Sequence, residues 1–108
     1  MRPKSVTVSS QTASAAIPVD YTQQAFNLGV AVVSTGTLTW SVQVTLDNVL
    51  DPTVTPTWIA APSSTGLEAG TGGTNEVSVI TVPCRAVRLN VSAWTSGSAT
   101  MTIVQGRK

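Results

Sequence analysis

Residues 37–46 alternate between polar and apolar side chains at every position. The apolar members of this segment are Leu38, Trp40, Val42, Val44 and Leu46. A period of two is the pattern of a β-strand that buries one face and exposes the other to solvent. The segment therefore predicts a strand with Trp40 in the core, and its Thr, Ser and Gln side becomes a candidate contact surface.

Short apolar segments of the same kind recur along the chain and are separated by turn-forming residues. They predict about eight strands, from candidates at 5–9, 15–19, 24–27, 28–34, 37–46, 53–60, 76–82, 85–94 and 98–105. Pro18 restricts the second candidate to a sheet edge or a bend. Both faces of 28–34 are apolar, so this strand is expected to be covered on each side.

Two of the turns predict hairpins. Thr35-Gly36 joins 28–34 to 37–46, and residues 95–97 join 85–94 to 98–105. Short Gly-containing connections between alternating segments are typical of β-hairpins. In the second hairpin Val87, Leu89, Val91 and Ala93 are predicted to face the core, together with Ala99, Met101 and Ile103. Residues 62–75 are predicted to form a flexible loop that contains Leu67.

Composition supports an all-β fold. Of the 108 residues, 17 are Thr and 16 are Val, and only 10% are charged. Thr and Val suit a pleated, half-buried surface, and no segment has the 3.6-residue period of a helix. We predict a single domain over residues 1–108, an antiparallel β-sandwich of jelly-roll type. Residues 1–5 and 105–108 are possible extended arms.

The chain lacks the usual groups for catalysis. It has no His, and Lys4 and Lys108 are terminal, so neither a triad nor a transition-metal site is predicted. Arg85 beside Cys84 could lower the pKa of the thiol, but a small buried residue after Pro83 is the favoured interpretation. Asp47, Asn48 and Asp51 could bind Ca²⁺, but Asx residues after a strand more often form turns. We expect no cofactor, no metal, no small-molecule substrate and no enzymatic activity.

Charge is distributed unevenly. All six basic residues lie outside 5–84, at Arg2, Lys4, Arg85, Arg88, Arg107 and Lys108. Basic termini could face an acidic surface, or the distribution could be chance among eleven charges. Six basic groups at two ends are too few to make nucleic-acid binding the main role. One Cys gives no internal disulfide, and no signal or membrane segment is read from the sequence, so we expect folding in a cytoplasm.

Two tryptophans complete the set of candidate interface residues. Trp58 lies beside the predicted loop and Trp94 ends its strand off the inward register, and Trp is enriched at interfaces and sugar sites. The predicted interface set is Arg2, Lys4, Trp58, Arg85, Arg88, Trp94 and Arg107.

Several segments together resemble small virion structural proteins of tailed bacteriophages. They are residues 1–8, 39–49 with Trp58 downstream, and 82–91 running into 97–106. The resemblance covers most of the chain outside the loop after Pro62, and these motifs are strand sequences with no active site. It implies a capsid decoration (cement) protein on an icosahedral phage head.

The resemblance also implies partners and a location. The partners would be the major capsid protein and copies of the chain itself, on the capsid surface of the virion after synthesis in the host bacterial cytoplasm. Two alternatives remain open: a tail or head–tail joining component, and a carbohydrate-binding surface module that uses Trp58 or Trp94.

Overall fold

The computed structural model describes residues 3–19, 27–61, 66–73 and 75–105. Within these ranges the chain is all strand and turn, without a helix, as the sequence predicts. Nine strands are described: β1 (Lys4–Val8), β2 (Ile17–Pro18), β3 (Leu28–Thr35), β4 (Leu38–Thr45), β5 (Ile59–Ala60), β6 (Gly70–Thr71), β7 (Glu76–Ile80), β8 (Ala86–Trp94) and β9 (Ser98–Gln105).

The strands form two antiparallel sheets. The first sheet has the order β1-β9-β3-β7, and the second has the order β2-β8-β4-β5, with β6 also paired to β4. The first strand thus pairs with the last, the second with the next to last, and β3 with β7. The chain is an antiparallel ribbon wrapped into two facing sheets, which is the jelly-roll arrangement. The predicted sandwich and its subtype are confirmed.

Both predicted hairpins are wrong in their pairing. β3 lies in the first sheet and β4 in the second, and the same separation holds for β9 and β8. Each short turn therefore carries the chain across the core from one sheet to the other. The buried side chains of β3 and β4 therefore face each other across the sandwich, and so do those of β8 and β9.

The two crossing turns contact each other at one end of the molecule. The Thr37 amide donates to the Ser96 carbonyl at 3.1 Å, and the Thr95 amide donates to the Thr37 carbonyl at 2.8 Å. Gly36 and Gly97 lie between them with φ values of 80° and 87°. A Cβ atom on Gly36 would lie 2.7 Å from the Cα of Gly97. This approach of two backbones requires glycine on both sides.

The core lies between the sheets and contains Trp40, as predicted. Leu38 and Val42 on β4 are also buried, but Val44 is half-buried and Leu46 is 64% exposed. The prediction that Leu46 faces the core is wrong because β4 ends at Thr45, which is itself buried. Ala93 is exposed as well, since a β-bulge at Thr39/Trp40 shifts the register near the end of β8.

The predicted flexible loop is partly structural. Leu67 is fully buried, and its carbonyl accepts a hydrogen bond of 2.8 Å from the Val42 amide. The Gly72 amide donates to the Leu38 carbonyl at 2.8 Å. Residues 66–73 therefore extend the second sheet along the edge of β4.

Other predicted boundaries also change. In 53–60 only Ile59–Ala60 is a strand, whereas Ile17–Pro18 is an edge strand as predicted. Lys4 and Ser5 belong to β1 and Gln105 to β9, so backbone pairing holds these three arm residues in the first sheet. Residues 1–2, 24–26 and 106–108 lie outside the described residues.

Cys84 is buried, as predicted, and burial raises the pKa of its thiol from 9.0 to about 11. We expect the native protein to resist thiol reagents at pH 8, and the denatured protein to react at once. The pKa of the thiol is higher in the folded protein than in the unfolded one, so burial of the neutral thiol contributes fully to the free energy of unfolding below pH 9. This contribution is lost as the pH rises towards 11, by at most about 3 kcal/mol. Thiol labelling with and without denaturant measures the protection of Cys84. Urea unfolding across this pH range measures the change in stability. Fast native labelling at pH 8 would contradict the buried position.

Candidate interaction surfaces

The described residues contain no group of three or more His, Cys, Asp or Glu side chains placed to hold a metal ion. Asn48 and Asp51 act as turn formers, as the sequence favours. Asn48 Oδ1 accepts from the Leu50 amide at 3.1 Å, and Asp51 Oδ1 accepts from the Thr53 amide at 2.9 Å. This amide and the Thr53 hydroxyl lower the pKa of Asp51. Over the described part of the chain no helix is long and apolar enough to cross a membrane.

Among the described residues, the outward side of the first sheet carries no ionisable side chain. Residues paired across strands point to the same side of a sheet, and the register gives four rows on this side. Thr35 and Ser98 form a short row beside the crossing turns. The three longer rows are Thr7–Thr100–Val33, Ser5–Thr102–Ala31–Val77, and Val104–Gly29–Val79. We call this surface the valine face.

The valine face has a polar half and an apolar half. On β1 and β9, Ser5 and Thr102 are hydrogen-bonded through their hydroxyls at 2.9 Å, and Thr7 and Thr100 at 3.0 Å. On the other half, four valines are exposed: Val33 52%, Val77 78%, Val79 45% and Val104 41%. The prediction that both faces of 28–34 are covered is therefore wrong for the described chain, since Val33 is open to solvent. Contiguous exposed apolar side chains are common at contact surfaces of proteins, so the four valines make this face a candidate contact surface.

The edge next to these valines is open within the described structure. β7 is the last strand of the first sheet and pairs there only with β3. It has no Pro and no Lys, and its one charged residue is Glu76 at the end. Natural proteins usually protect such an edge with charges, Pro or a bulge, because it can pair with another chain.

An apolar cleft lies at the same side of the sandwich. It has a volume of about 210 Å³ and lies between the two sheets, beside β7 of the first and β5 of the second. Its lining is Val44, Leu46, Ile59, Ala60, Ile80 and Val82. Three of these side chains, Leu46, Ile59 and Val82, are at least half exposed. The cleft and the β7 edge thus form one side that is predominantly apolar.

Trp58 and Arg88 come together on the second sheet. The Arg88 guanidinium carbon lies 4.5 Å from the centre of the Trp58 ring, a cation–π geometry. Arg88 Nε donates to Gln43 Oε1 at 2.7 Å, which fixes the guanidinium against β4. Partial desolvation lowers the pKa of Arg88, which remains charged at neutral pH. One face of the Trp58 ring is therefore covered by Arg88.

Trp94 lies elsewhere, beside a groove of about 300 Å³ at the end with the crossing turns. It is 39% exposed, and its Nε1 donates to the Gly97 carbonyl at 2.9 Å. Thr37, Thr39, Thr71 and Thr95 contribute to the lining of this groove. The groove thus combines an exposed indole with several threonine side chains.

The predicted interface set does not form a single site. Trp58 and Arg88 are in contact, while Trp94 is six residues from Arg88 along β8, a distance of about 20 Å. Arg85 lines a separate cavity of about 280 Å³ near Val49, and Lys4 lies exposed on β1 of the other sheet. Arg2 and Arg107 lie outside the described residues.

Sequence reasoning did not single out the valine face or the cleft as contact surfaces. The signal for the valine face is the double apolar pattern of residues 28–34, which predicts a strand covered on both faces. For the cleft, the sequence pattern places Leu46 in the core and Val82 in a strand. A strand with two apolar faces is expected to have a cover on each face, but the sequence pattern does not show whether the second cover belongs to the same chain or to another one.

Comparisons with known proteins support the fold. No family model matches the chain, and no curated protein matches it. Among solved structures, the chain is similar to YomS, a protein derived from the SPBc2 prophage, with a TM-score of 0.55 and 15% identity over 98% of this chain and 96% of that chain. At this identity the similarity shows a shared fold.

A weaker likeness links the chain to a protein from a study of Bacillus endospore appendages, described as disulfide-linked pili. The TM-score is 0.42, with 18% identity over 94% of this chain and 84% of that chain. A likeness at this level carries no functional argument.

Proposed function

We propose that this chain is a non-enzymatic structural protein of a phage particle, and that it binds as a decoration protein to the outside of an icosahedral capsid. The observation that carries the proposal is the uncharged valine face, which continues at the β7 edge into the apolar cleft. A protein with such a surface is suited to permanent contact with other subunits. The prophage origin of YomS, which shares the jelly roll, supports the phage assignment.

The chemistry of the surface fits attachment in many copies. The valine face offers backbone, hydroxyl and aliphatic groups but no charge, so copies packed side by side would not repel one another. Contacts at several neighbouring positions on a shell add through effective concentration, so each single contact need not be strong. The bound copies would link capsid subunits and resist their separation.

The proposal is tested by adding the purified protein to capsids that lack it. We expect saturable binding and a higher capsid melting temperature by calorimetry. Because the valine face is uncharged, binding through it should change little between low and moderate salt, in contrast to attachment through basic arms. Capsids that neither bind the protein nor gain thermal stability would contradict the decoration role.

Copy number separates decoration from the tail alternative. A count that follows the number of capsid subunits, measured by mass or by image reconstruction of virions, supports decoration. A small number of copies per virion, located at one vertex or on the tail, would contradict decoration and support a tail or head–tail joining role.

The groove at Trp94 favours a second candidate, a glycan-binding surface module. The Trp94 ring is exposed beside threonine side chains. An aromatic ring can stack on a sugar, and hydroxyl groups can form hydrogen bonds to it. We expect Trp94→Ala to remove glycan-array binding and Trp58→Ala to retain it, since Arg88 covers one face of Trp58. No binding by the unmodified protein at millimolar sugar would exclude this candidate.

A further inference from the structure

We propose that two copies of this chain associate side by side through β7, with the two β7 strands antiparallel about a twofold axis at Ser78. The first sheets of the two copies would then form one continuous eight-stranded sheet. The inference deepens the proposed function, because it names the side by which one copy meets the next. Its test uses the protein alone, without capsids.

The first argument is the composition of the β7 edge. The strand reads Glu-Val-Ser-Val-Ile, which is nearly symmetric about Ser78. Antiparallel pairing centred on Ser78 places Val77 of one copy opposite Val79 of the other, twice. Both valines face outward and are exposed, at 78% and 45%, so the pairing buries them against each other. A twofold arrangement of this kind is closed and stops at the dimer.

The second argument is electrostatic. In this register each Glu76 lies opposite Ile80 of the other copy, so the two carboxylates are separated by four residues, about 14 Å. This exceeds the Debye length of about 8 Å at physiological ionic strength, and their repulsion is largely screened. No other ionisable residue lies on β7 or in the rows of the valine face.

The third argument is that the same contact would cover the apolar cleft. β5 is the edge of the second sheet on the side where β7 ends the first, as the cleft that both strands line shows. Bringing two β7 edges together therefore brings Ile59 and Val82 of each copy towards the other. One contact accounts for the open edge, the exposed Val77 and Val79 and the cleft, whereas a partner on the valine face alone would leave the cleft exposed.

The available area sets the strength of the dimer. The exposed side chains on this side, Val77, Val79, Leu46, Ile59 and Val82, contribute roughly 300 Å² of apolar surface per copy. A stable interface buries about 800 Å² per partner. We therefore expect a weak dimer, with a dissociation constant on the order of 100 µM. On a shell, where neighbouring copies are held close together, an association of this strength is sufficient.

The test is sedimentation of the purified protein under reducing conditions over a range from about 10 µM to 1 mM, spanning the expected constant. The unmodified protein should shift from monomer to dimer. The double variant V77K/V79K should raise the dissociation constant at least tenfold, because four ammonium groups would meet at the axis. The control is V33K, which puts one ammonium group per copy on the same sheet face but on the interior strand β3, and it should still dimerise.

The register has its own test, and thermal melting checks that all of the variants fold. Ser78→Cys in a Cys84→Ala background should form a disulfide-linked dimer under mild oxidation, since the two residues 78 face each other at the axis. Val104→Cys in the same background should not. Thermal melting within a few degrees of the unmodified protein shows that the variants are folded.

Two results would overturn the inference. One is an unmodified protein that stays monomeric up to 1 mM, and the other is loss of dimerisation in V33K with retention in V77K/V79K. Capsid binding by a strict monomer would leave the proposed function standing while removing this inference. A protein that dimerises but fails to bind capsids would remove the proposed function and leave this inference standing.

Discussion

Replacing Gly97 with alanine is expected to lower the free energy of unfolding by about 3 kcal/mol or more. Two costs add at this position. The φ of +87° is a conformation that residues with a Cβ rarely adopt, and the new Cβ would overlap the carbonyl oxygen of Thr35 in the other crossing turn. Neither side can move easily, because the Thr35 carbonyl and the Cα of residue 97 that carries the new Cβ are both backbone groups at the point where the two sheets are joined. Urea unfolding at 25 °C, followed by far-UV circular dichroism, measures the change.

Gly73 provides the matched control. It has nearly the same φ, +81°, but a Cβ placed there meets no described atom within 4 Å outside its own chain neighbours. Gly73→Ala therefore isolates the conformational cost, which we expect to be about 1 kcal/mol. Equal losses in the two variants would show that the contact between the crossing turns does not matter. Gly36→Ala should resemble Gly97→Ala, because its Cβ would lie 2.5 Å from the Ser96 carbonyl oxygen.

Truncating Trp40 to alanine is the second large effect, and we expect a loss of about 3–5 kcal/mol. Trp40 is the largest fully buried side chain described, and it packs against the backbone of Gly70. Its indole Nε1 is buried without a hydrogen-bond partner in the described structure. Packing rather than hydrogen bonding therefore accounts for its contribution, and Trp40→Phe should retain more stability than Trp40→Ala. Trp94→Ala is the control for residue type, with an expected loss of about 1 kcal/mol, because that side chain is 39% exposed.

A double-mutant cycle tests the Gly70 contact. A Cβ on Gly70 would overlap Cε2 and Cζ2 of Trp40, so Gly70→Ala alone should cost about 1–3 kcal/mol. In the Trp40→Ala background the ring is absent and most of this cost should disappear. If the losses in free energy of unfolding of the two single variants simply add in the double variant, the cost of Gly70→Ala does not come from contact with the indole.

The sequence predicts the strands better than it predicts their partners. The alternation of 37–46 and of 98–105 locates β4 and β9 within a residue or two, because burial on one face leaves a period of two in any sheet. The same period does not distinguish a hairpin from a crossing between sheets. What decides between them here is the contact of Gly36 with Gly97, residues 61 positions apart, and a single sequence does not display such a contact.

The surfaces were predictable to a smaller extent. The sequence indicates that Trp40 is internal and that Trp58 and Arg88 are candidates for contact, and the structure joins the last two. Leu67 gave no periodic signal because it stands alone among small residues, although it is fully buried. Val77 and Val79 lie in a predicted strand, but only the sheet order shows that this strand is an edge.

The pairing of the first strand with the last also has a consequence for how the chain folds. Ser5 and Thr102 are 97 residues apart and yet hydrogen-bonded, and every strand pair of the first sheet joins distant parts of the chain. Topologies dominated by such distant pairs fold slowly, in milliseconds to seconds. On a ribosome that adds about 5–20 residues per second, β1 waits several seconds or more for β9 to be made. During that interval the valine-rich strands are without their partners, and crowded nascent chains run the greatest risk of pairing with one another.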